Sequence, residues 1–189
     1  HELIDGGILV LNDHFGAIAC GLATSALDSP LYWISDSYVA HQALAQNLAL
    51  NGITNNIITF PQIEQLEAEP VGVILKLPRN LRLLTKQLDW LNQHLPRGTP
   101  VVIAARQKDM PSTLPELTRQ LLNEVRPSRA VKKARLVYGL LSGRDSGQAE
   151  TTQWHCPEVD CILSNFPNVF ASQRLDSGAR FLMQNLGSI

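Results

Sequence analysis

The sequence predicts an α/β protein with a doubly wound, mainly parallel sheet of seven strands and helices on both faces. Short apolar runs alternate regularly with helical patterns along the chain, which is typical of parallel strands joined by crossover helices. The length of 189 residues and the hydrophobic content of 44% suit one globular domain with a proper core. No helix separates the last two predicted strands, so we expect them to pair as an antiparallel hairpin at one edge.

Seven apolar runs are the predicted strands. They occupy residues 8–12, 31–36, 56–60, 71–77, 100–105, 134–141 and 160–163. The run at 71–77 is almost continuously apolar, which is typical of a strand that is buried on both faces. The turn-rich segment 142–148 separates the last two runs.

The predicted helices lie between these runs, at residues 16–26, 37–50, 80–94 and 114–125. Small residues make up most of the first helix, which would let it approach the sheet closely. The second helix ends at Asn51-Gly52, a common C-terminal stop. In the third, Leu81, Leu84 and Leu88 share one side. The pattern then changes: residues 165–178 read as a loop and 179–186 as a further helix.

Charge is distributed unevenly along the chain. All 16 lysines and arginines lie at or after Lys76, whereas eight of the 17 acids lie at or before Glu69. Residues 76–135 hold thirteen basic side chains and four acidic ones, so the formal net charge of -1 conceals a basic middle of about +9. A stretch of this kind suits a polyanion, of which nucleic acid is the commonest, and the alternative is a solvated helix face.

Cysteine content and hydropathy limit the cellular setting. The three cysteines, Cys20, Cys156 and Cys161, do not suggest a disulfide framework and fit a reducing cytoplasm. We see no signal-peptide pattern and no apolar run of the ~18–20 residues that a membrane span needs, so we expect a cytoplasmic protein with no membrane partner. The chain begins abruptly in an apolar strand, so we expect its natural N-terminus to lie upstream.

The loop after the first strand is the usual place for a nucleotide or S-adenosylmethionine site in such a sheet. Asn12 and Asp13 open this loop, and Gly16 and Gly21 are its glycines. A cofactor loop needs glycines where backbone approaches the ligand, but His14 and Phe15 put bulk there. We therefore interpret Asn12, Asp13 and Gly16 as vestigial cofactor positions.

Asp36, at the end of the second strand, is the remaining vestigial cofactor position. An acid at this point commonly accepts hydrogen bonds from ribose hydroxyls. The alternative is that Asp36 or Ser37 caps the following helix.

The end of the fourth strand carries cations and no aromatic platform. In the segment LKLPRN, Lys76 and Arg79 suit phosphate contact better than chemistry on a base. The alternative is that Pro78 ends the strand, Asn80 caps the next helix and both cations are simply exposed.

The sequence gives little support for other site chemistry. His155, Cys156 and Cys161 have loose spacing and lack a second pair to complete a tetrahedral site, so we predict no metal. The chain contains no nucleophile elbow and no P-loop.

Five segments carry a resemblance to a known family. They are GGILVLNDHFGAIACGLA, ISDSYVAHQALAQNLALNGI, ILKLPRNLRLLTKQLDWL, VKKARLVYGL and NVFASQRLDSGARFLMQNL, and they span almost the whole chain in order. In these segments the chain resembles the N-terminal half of the bacterial large-subunit ribosomal RNA guanine-N2 methyltransferases of the G type, relatives of the small-subunit methyltransferases of the C type.

The resemblance implies two tandem class I, Rossmann-like S-adenosylmethionine methyltransferase folds in the parent protein. The C-terminal fold carries the cofactor loop and an Asn-Pro-Pro-Phe motif, and the N-terminal fold is a degenerate copy that recognises substrate and supports its partner. Here the cofactor loop lacks its glycine pattern, and residues 75–79 lack the Asn, the prolines and the aromatic of the catalytic motif. The resemblance therefore implies no catalytic residue and no cofactor in this chain, and S-adenosylmethionine in the absent C-terminal half.

From the resemblance we expect a degenerate methyltransferase-like domain at residues 1–164 and, at 165–189, a linker to the catalytic domain. The expected partners are ribosomal RNA and that catalytic domain, and we expect a monomer. Two alternatives remain: a purely structural docking domain, and an active methyltransferase. The candidate RNA-binding residues form two basic clusters: Lys76, Arg79, Arg82 and Lys86, and Arg129, Lys132, Lys133 and Arg135.

Overall fold

A sheet of seven strands organises the molecule. The structure is a computed structural model that describes residues 6–25, 29–54, 57–148, 151–166 and 169–186. Within those residues the strands of this sheet are β1 (Ile8–Leu11), β2 (Leu31–Ile34), β3 (Ile57–Phe60), β4 (Gly72–Lys76), β5 (Pro100–Arg106), β6 (Leu122–Pro127) and β7 (Ala134–Leu141). Their order across the sheet is β3, β2, β1, β4, β5, β7, β6.

The first five strands are all parallel, and β7 runs antiparallel to both of its neighbours. The prediction of a mainly parallel, doubly wound sheet of seven strands is therefore confirmed. In β1, an interior strand between β2 and β4, Leu9, Val10 and Leu11 are fully buried. Burial on both faces explains why such strands appear in the sequence as continuous apolar runs.

Helices cover both faces of the sheet. They are α1 (Ala17–Ala23), α2 (Tyr38–Leu50), α3 (Leu81–His94) and α4 (Leu114–Leu121). Leu84, Leu88 and Leu91 of α3 join the larger core, and each such burial contributes about 1.5–3 kcal/mol. Ala19 and Leu44, from α1 and α2, pack with Trp33 in the smaller core. Because successive strand residues alternate between faces, the two cores lie on opposite sides of the sheet.

The fourth helix is shorter than the sequence predicted, because residues 122–125 belong to β6 and not to a helix. The carbonyl of Leu121 accepts hydrogen bonds from Asn92 Nδ2 at 3.0 Å and from Ser142 Oγ at 2.6 Å. These side chains, distant in sequence, satisfy an acceptor at the end of the helix, and Leu122 enters the core beside β7. Tertiary contacts thus override the helical pattern.

The edge hairpin consists of β6 and β7, so the predicted pairing of residues 134–141 with 160–163 is wrong. Residues 160–163 belong instead to a separate two-stranded antiparallel sheet of β8 (Thr152–Cys156) and β9 (Cys161–Asn165). In that sheet Cys156 lies opposite Cys161. The wrong pairing follows from the helix predicted at residues 114–125. That helix left no strand at 122–127 to pair with residues 134–141.

The last helix, α5 (Ser177–Asn185), is capped by the Asp176 carboxylate, which accepts from the backbone N–H groups of Gly178 and Ala179. No residue of α5 is buried, and Phe181 is 69% exposed. Residues at 26 and 56, where the sequence placed the end of the first helix and the start of the third strand, lie outside the described part of the chain. No helix in the described part is long and apolar enough to cross a membrane.

Candidate functional site

Asn12 fastens the loop after β1 to two other elements. Its φ of 62° lies in the left-handed region, which asparagine tolerates better than most residues. Its Nδ2 donates to the Lys76 carbonyl at 3.0 Å and to Gln87 Oε1 at 2.9 Å, and its Oδ1 accepts from Gln87 Nε2 at 3.0 Å. The loop is thus bonded to the end of β4 and to α3. No pattern in the sequence indicates the role of Gln87.

The Asp13 carboxylate binds backbone N–H groups in the first turn of α1. The side chain is buried, and its Oδ2 accepts hydrogen bonds from the backbone N–H groups of Ile18 and Ala19 at 2.9 and 3.0 Å. Free N–H groups at a helix start are what an anionic ligand uses. Two of these donors are therefore occupied by the carboxylate of Asp13.

Gly16 serves helix packing. Its φ is 80°, and a Cβ built there would lie 2.3 Å from Cδ1 of the buried Leu44. Beside it, Phe15 is 61% exposed, and its carbonyl accepts from Asn47 Nδ2 at 2.8 Å. The glycine thus permits close approach of α1 and α2, and the bulky side chains of His14 and Phe15 occupy the loop in front of it.

Asp36 lies exposed at the carboxyl end of β2. Of the two capping alternatives, the structure selects Ser37, whose Oγ accepts from the backbone N–H of Ala40 at 3.3 Å. The neighbouring Ser35 carbonyl also has a partner within the fold, since the His41 ring forms a hydrogen bond with it at 2.8 Å. Asp36 is therefore not the helix cap.

Lys76 and Arg79 lie exposed where β4 ends. Asn80 caps α3, with its Oδ1 accepting from the backbone N–H of Arg82 at 3.0 Å, as the alternative interpretation expected. Lys76 is paired with Ala104 of β5, which places it at the carboxyl edge of the sheet. Both cations are free to meet a ligand from solvent.

Arg82 and Lys86 differ from this pair, because both side chains already have partners within the chain. Lys86 Nζ lies 3.1 Å from Glu64 Oε1 and 5.2 Å from the centre of the Phe166 ring. Arg82 donates through Nη1 to the Thr152 hydroxyl. Both side chains line a groove of about 350 Å³ that also contains the acids Glu64, Asp89 and Asp145. This face of α3 therefore has mixed charge.

The second basic cluster lies around the turn between β6 and β7. Arg129, Lys132 and Lys133 are exposed, and Arg135 is half-buried. Because β7 is antiparallel and begins where β5 ends, with Ala134 paired to Arg106, this turn lies at the same edge as Lys76. The backbone N–H of Gln107 donates to the Lys133 carbonyl at 2.8 Å, which joins the turn to the segment after β5.

Two further cations of this edge were not among the candidates. Arg106 ends β5 and pairs with Asp109, with Nε and Oδ2 2.5 Å apart, and Lys108 is exposed two residues later. The sequence contained the signal, since both lie at or just after the end of a strand, and Lys76 likewise ends β4. The structure thus brings together Lys76, Arg79 and the β6–β7 cluster along one edge, with Arg82 and Lys86 to one side.

The β8–β9 sheet contains two of the three cysteines, Cys156 and Cys161. All three cysteines of the chain are free. Burial raises the pKa of the Cys156 thiol, and its hydrogen bond to Glu158 Oε2, at 3.5 Å, raises it further. The pKa of Glu158 is lowered, first by its own backbone N–H and then by Cys156 and Arg180. Among the residues described, no group of three His, Cys, Asp or Glu side chains could hold a metal ion.

The strand order and the helices on both faces define a Rossmann-like methyltransferase fold. Residues 1–143 match the family described as the RLMG N-terminal domain, so the chain belongs to that family. The chain is 65% identical, over all of its 189 residues, to ribosomal RNA large subunit methyltransferase G of Magnetococcus marinus, and covers 51% of that protein. It is 38% identical to the enzyme of the same name from Pseudoalteromonas translucida, over 95% of this chain and 47% of that protein.

Solved structures agree on the fold. The 16S rRNA N2 G1207 methyltransferase of T. thermophilus, solved with AdoMet and guanosine, matches with a TM-score of 0.68 at 13% identity. The match covers 100% of this chain and 50% of that one. A ribosomal protein L11 methylase from Lactobacillus delbrueckii matches with a TM-score of 0.58 at 14% identity. The chain thus spans about half the length of the curated relatives it matches.

Proposed function

We propose that this chain is the non-catalytic N-terminal domain of an S-adenosylmethionine-dependent guanine-N2 methyltransferase of large-subunit ribosomal RNA. In this proposal the domain helps to hold the RNA and supports the catalytic half of the same protein, where the cofactor binds. The observation that carries the proposal is the closed cofactor position after β1. Asp13 occupies the N–H groups of Ile18 and Ala19, and the Asn12–Gln87 pair ties the loop to α3.

The closed position supports a non-catalytic role for a physical reason. A cofactor would need free backbone donors and open space at the carboxyl edge of β1. Here the donors bond Asp13, and Gly16 is packed against Leu44. Asp36 alone retains the position of a ribose acceptor, and a single exposed carboxylate gives little affinity.

Calorimetry with S-adenosylmethionine tests the first part of the proposal. We expect no saturable heat in the micromolar range when the cofactor is titrated into the 189-residue chain, and no methyl transfer to RNA. A methyltransferase domain with an intact glycine loop is the positive control. Saturable micromolar binding by this chain would instead support the alternative of an active methyltransferase.

The role in RNA binding is supported by the exposed cations at the carboxyl edge. Such contacts would be made with phosphates, so binding should weaken steeply with salt and show no preference for sequence. We expect the double substitution Lys76→Ala and Arg79→Ala to lower RNA affinity and to reduce the slope of log K against log salt by about two units. Addition of Arg82→Ala and Lys86→Ala should add less, because both residues have partners within the chain.

A matched control removes the same charge from the opposite edge. Arg97 precedes β5 and Arg119 lies near the end of α4, and both are exposed at the amino edge of the sheet. The variant Arg97→Ala/Arg119→Ala should retain both the affinity and the salt slope. If both double variants bound RNA like the unsubstituted chain, Lys76 and Arg79 would be solvated residues and not RNA contacts. The alternative of a structural docking domain would stand if the cations of the β6–β7 turn also proved to have no effect on RNA affinity.

One observation favours that docking role as a second candidate function, compatible with the first. Helix α5 buries none of its residues and exposes Phe181 and Leu182, and Leu186, at its C-cap, is exposed as well. Apolar side chains clustered on one short helix are typical of a surface that another structural unit covers. We propose the catalytic half of the same protein as that unit, with residues 165–189 as the connection.

A further inference from the structure

The turn between β6 and β7 places two lysines where the backbone disfavours them. Val131 and Ala134 exchange two backbone hydrogen bonds, each 2.8 Å long, and so close a two-residue loop. The residues within it, Lys132 and Lys133, have φ values of 48° and 65°. Positive φ at both central residues is the mark of a type I′ turn, which matches the twist of the strands it joins.

Asparagine and glycine are the residues that such a turn prefers. A side chain with a Cβ is disfavoured at positive φ, and lysine lacks the short polar group that makes this conformation acceptable for asparagine. The hairpin therefore needs the turn, but not these two residues. Strained positions of this kind cluster at functional sites, where a side chain is retained in spite of the conformation it must adopt.

The surroundings of the turn indicate what the lysines would meet. Both are exposed, as are Arg129 before them and Lys108, whose segment is joined to the turn by the bond from Gln107 to Lys133. The acid of that segment, Asp109, is already paired with Arg106. The Nε of Arg135 is buried and has no acceptor in the described part of the chain. Cations therefore greatly outnumber free acids here.

We infer that the Lys132-Lys133 turn is an RNA contact, a cationic tip that binds the phosphate backbone and is retained against the conformational preference of its own residues. This inference rests on the proposed function, because it names the part of the basic edge that meets RNA. An extended hairpin end is suited to follow a backbone or to bridge the phosphates on either side of a groove in folded RNA.

Strain and binding can be separated with two variants of the turn. Lys132→Asn/Lys133→Gly supplies the preferred turn residues and removes both charges. We expect its melting temperature to rise by about 2–6 °C and its RNA affinity to fall about tenfold at moderate salt. Lys132→Gln/Lys133→Gln removes the charges but keeps the backbone disfavoured, so affinity should fall equally without a rise in melting temperature. Lys132→Arg/Lys133→Arg should retain affinity.

The measurements are fluorescence anisotropy with a short labelled RNA hairpin at several salt concentrations, and thermal melting followed by circular dichroism. If RNA affinity is unchanged in both charge-removing variants of the turn but falls in Lys76→Ala/Arg79→Ala, the turn is not an RNA contact. The proposed function would then still stand. Unchanged affinity in all three would overturn both. A loss of affinity without the rise in melting temperature for the Asn-Gly variant would contradict the inference that strain is retained for binding.

Discussion

The side-chain amides of Asn12 and Gln87 bond each other twice, with Nδ2 to Oε1 at 2.9 Å and Nε2 to Oδ1 at 3.0 Å. The two residues are 75 positions apart in the chain. Their pair holds the loop after β1 against α3. The pair therefore joins two distant parts of the fold, and under the proposed function it also closes the position that a cofactor would need.

Replacement of Gln87 by Ala should lower the free energy of unfolding by about 1–2 kcal/mol, because a partly buried amide loses its partner. Urea unfolding of Asn12→Ala, Gln87→Ala and the double variant would give the coupling energy, for which we expect about 1 kcal/mol. The exposed Gln65→Ala is the control and should change little. Strictly additive effects of the two substitutions would mean that the pair contributes nothing.

Replacement of Gly16 by Ala should destabilise the protein by more than strain alone. The new Cβ would meet Leu44 Cδ1 at 2.3 Å, in addition to the strain of a φ of 80°. Gly98 provides the control, since its φ is 94° and nothing lies within 4 Å of a Cβ built there. We expect unfolding free energies lower by about 1 kcal/mol for Gly98→Ala and about 2–3 kcal/mol for Gly16→Ala. Equal losses would contradict the packing role of Gly16.

Cys156 should react with iodoacetamide more slowly than Cys161, because it is fully buried and the other is half-buried. The raised pKa of Cys156 acts in the same direction: the thiolate is the reactive form, and at a given pH less of it is present than in the unfolded chain. The stability that the neutral thiol contributes should be fully present below the ordinary thiol pKa and lost as pH rises through the raised pKa of Cys156.

Mass spectrometry of alkylated peptides over time at several pH values would measure the two rates. In denaturant the rates should become similar, because burial and the bond to Glu158 are both lost. Faster alkylation of Cys156 in the folded protein would show that β8 and β9 do not protect it.

Replacement of Phe181 and Leu182 by Ser should leave the stability of this chain almost unchanged. Neither residue is buried, so we expect a change in unfolding free energy within about 0.5 kcal/mol, measured by chemical denaturation. Leu88→Ser, in the core on α3, is the contrasting variant and should be strongly destabilising. A large loss from the α5 substitutions would show that this helix packs on the domain itself and is not held open for another unit.

Local pattern was enough to predict the parallel sheet, because buried strands and amphipathic helices leave periodic signals that each segment carries alone. Residues 71–77 and 80–94 illustrate this, since β4 and α3 lie within them. The degenerate cofactor loop, inferred from the bulk of His14 and Phe15, stays a prediction. The charge layout was also visible, because an edge of parallel strands collects whatever residues follow them.

Only the tertiary structure decided the features that depend on residues distant in the sequence. The end of α4 depends on Asn92 and Ser142, which bond the Leu121 carbonyl from elsewhere in the chain, so no window around Leu121 could reveal the strand that follows. Helical periodicity placed Arg82 and Lys86 on one face, but Glu64, Thr152 and Phe166 determine that this face is partly occupied. The backbone conformation at Lys132 and Lys133 depends on the pairing of β6 with β7, a contact that the sequence alone assigned to the wrong strand.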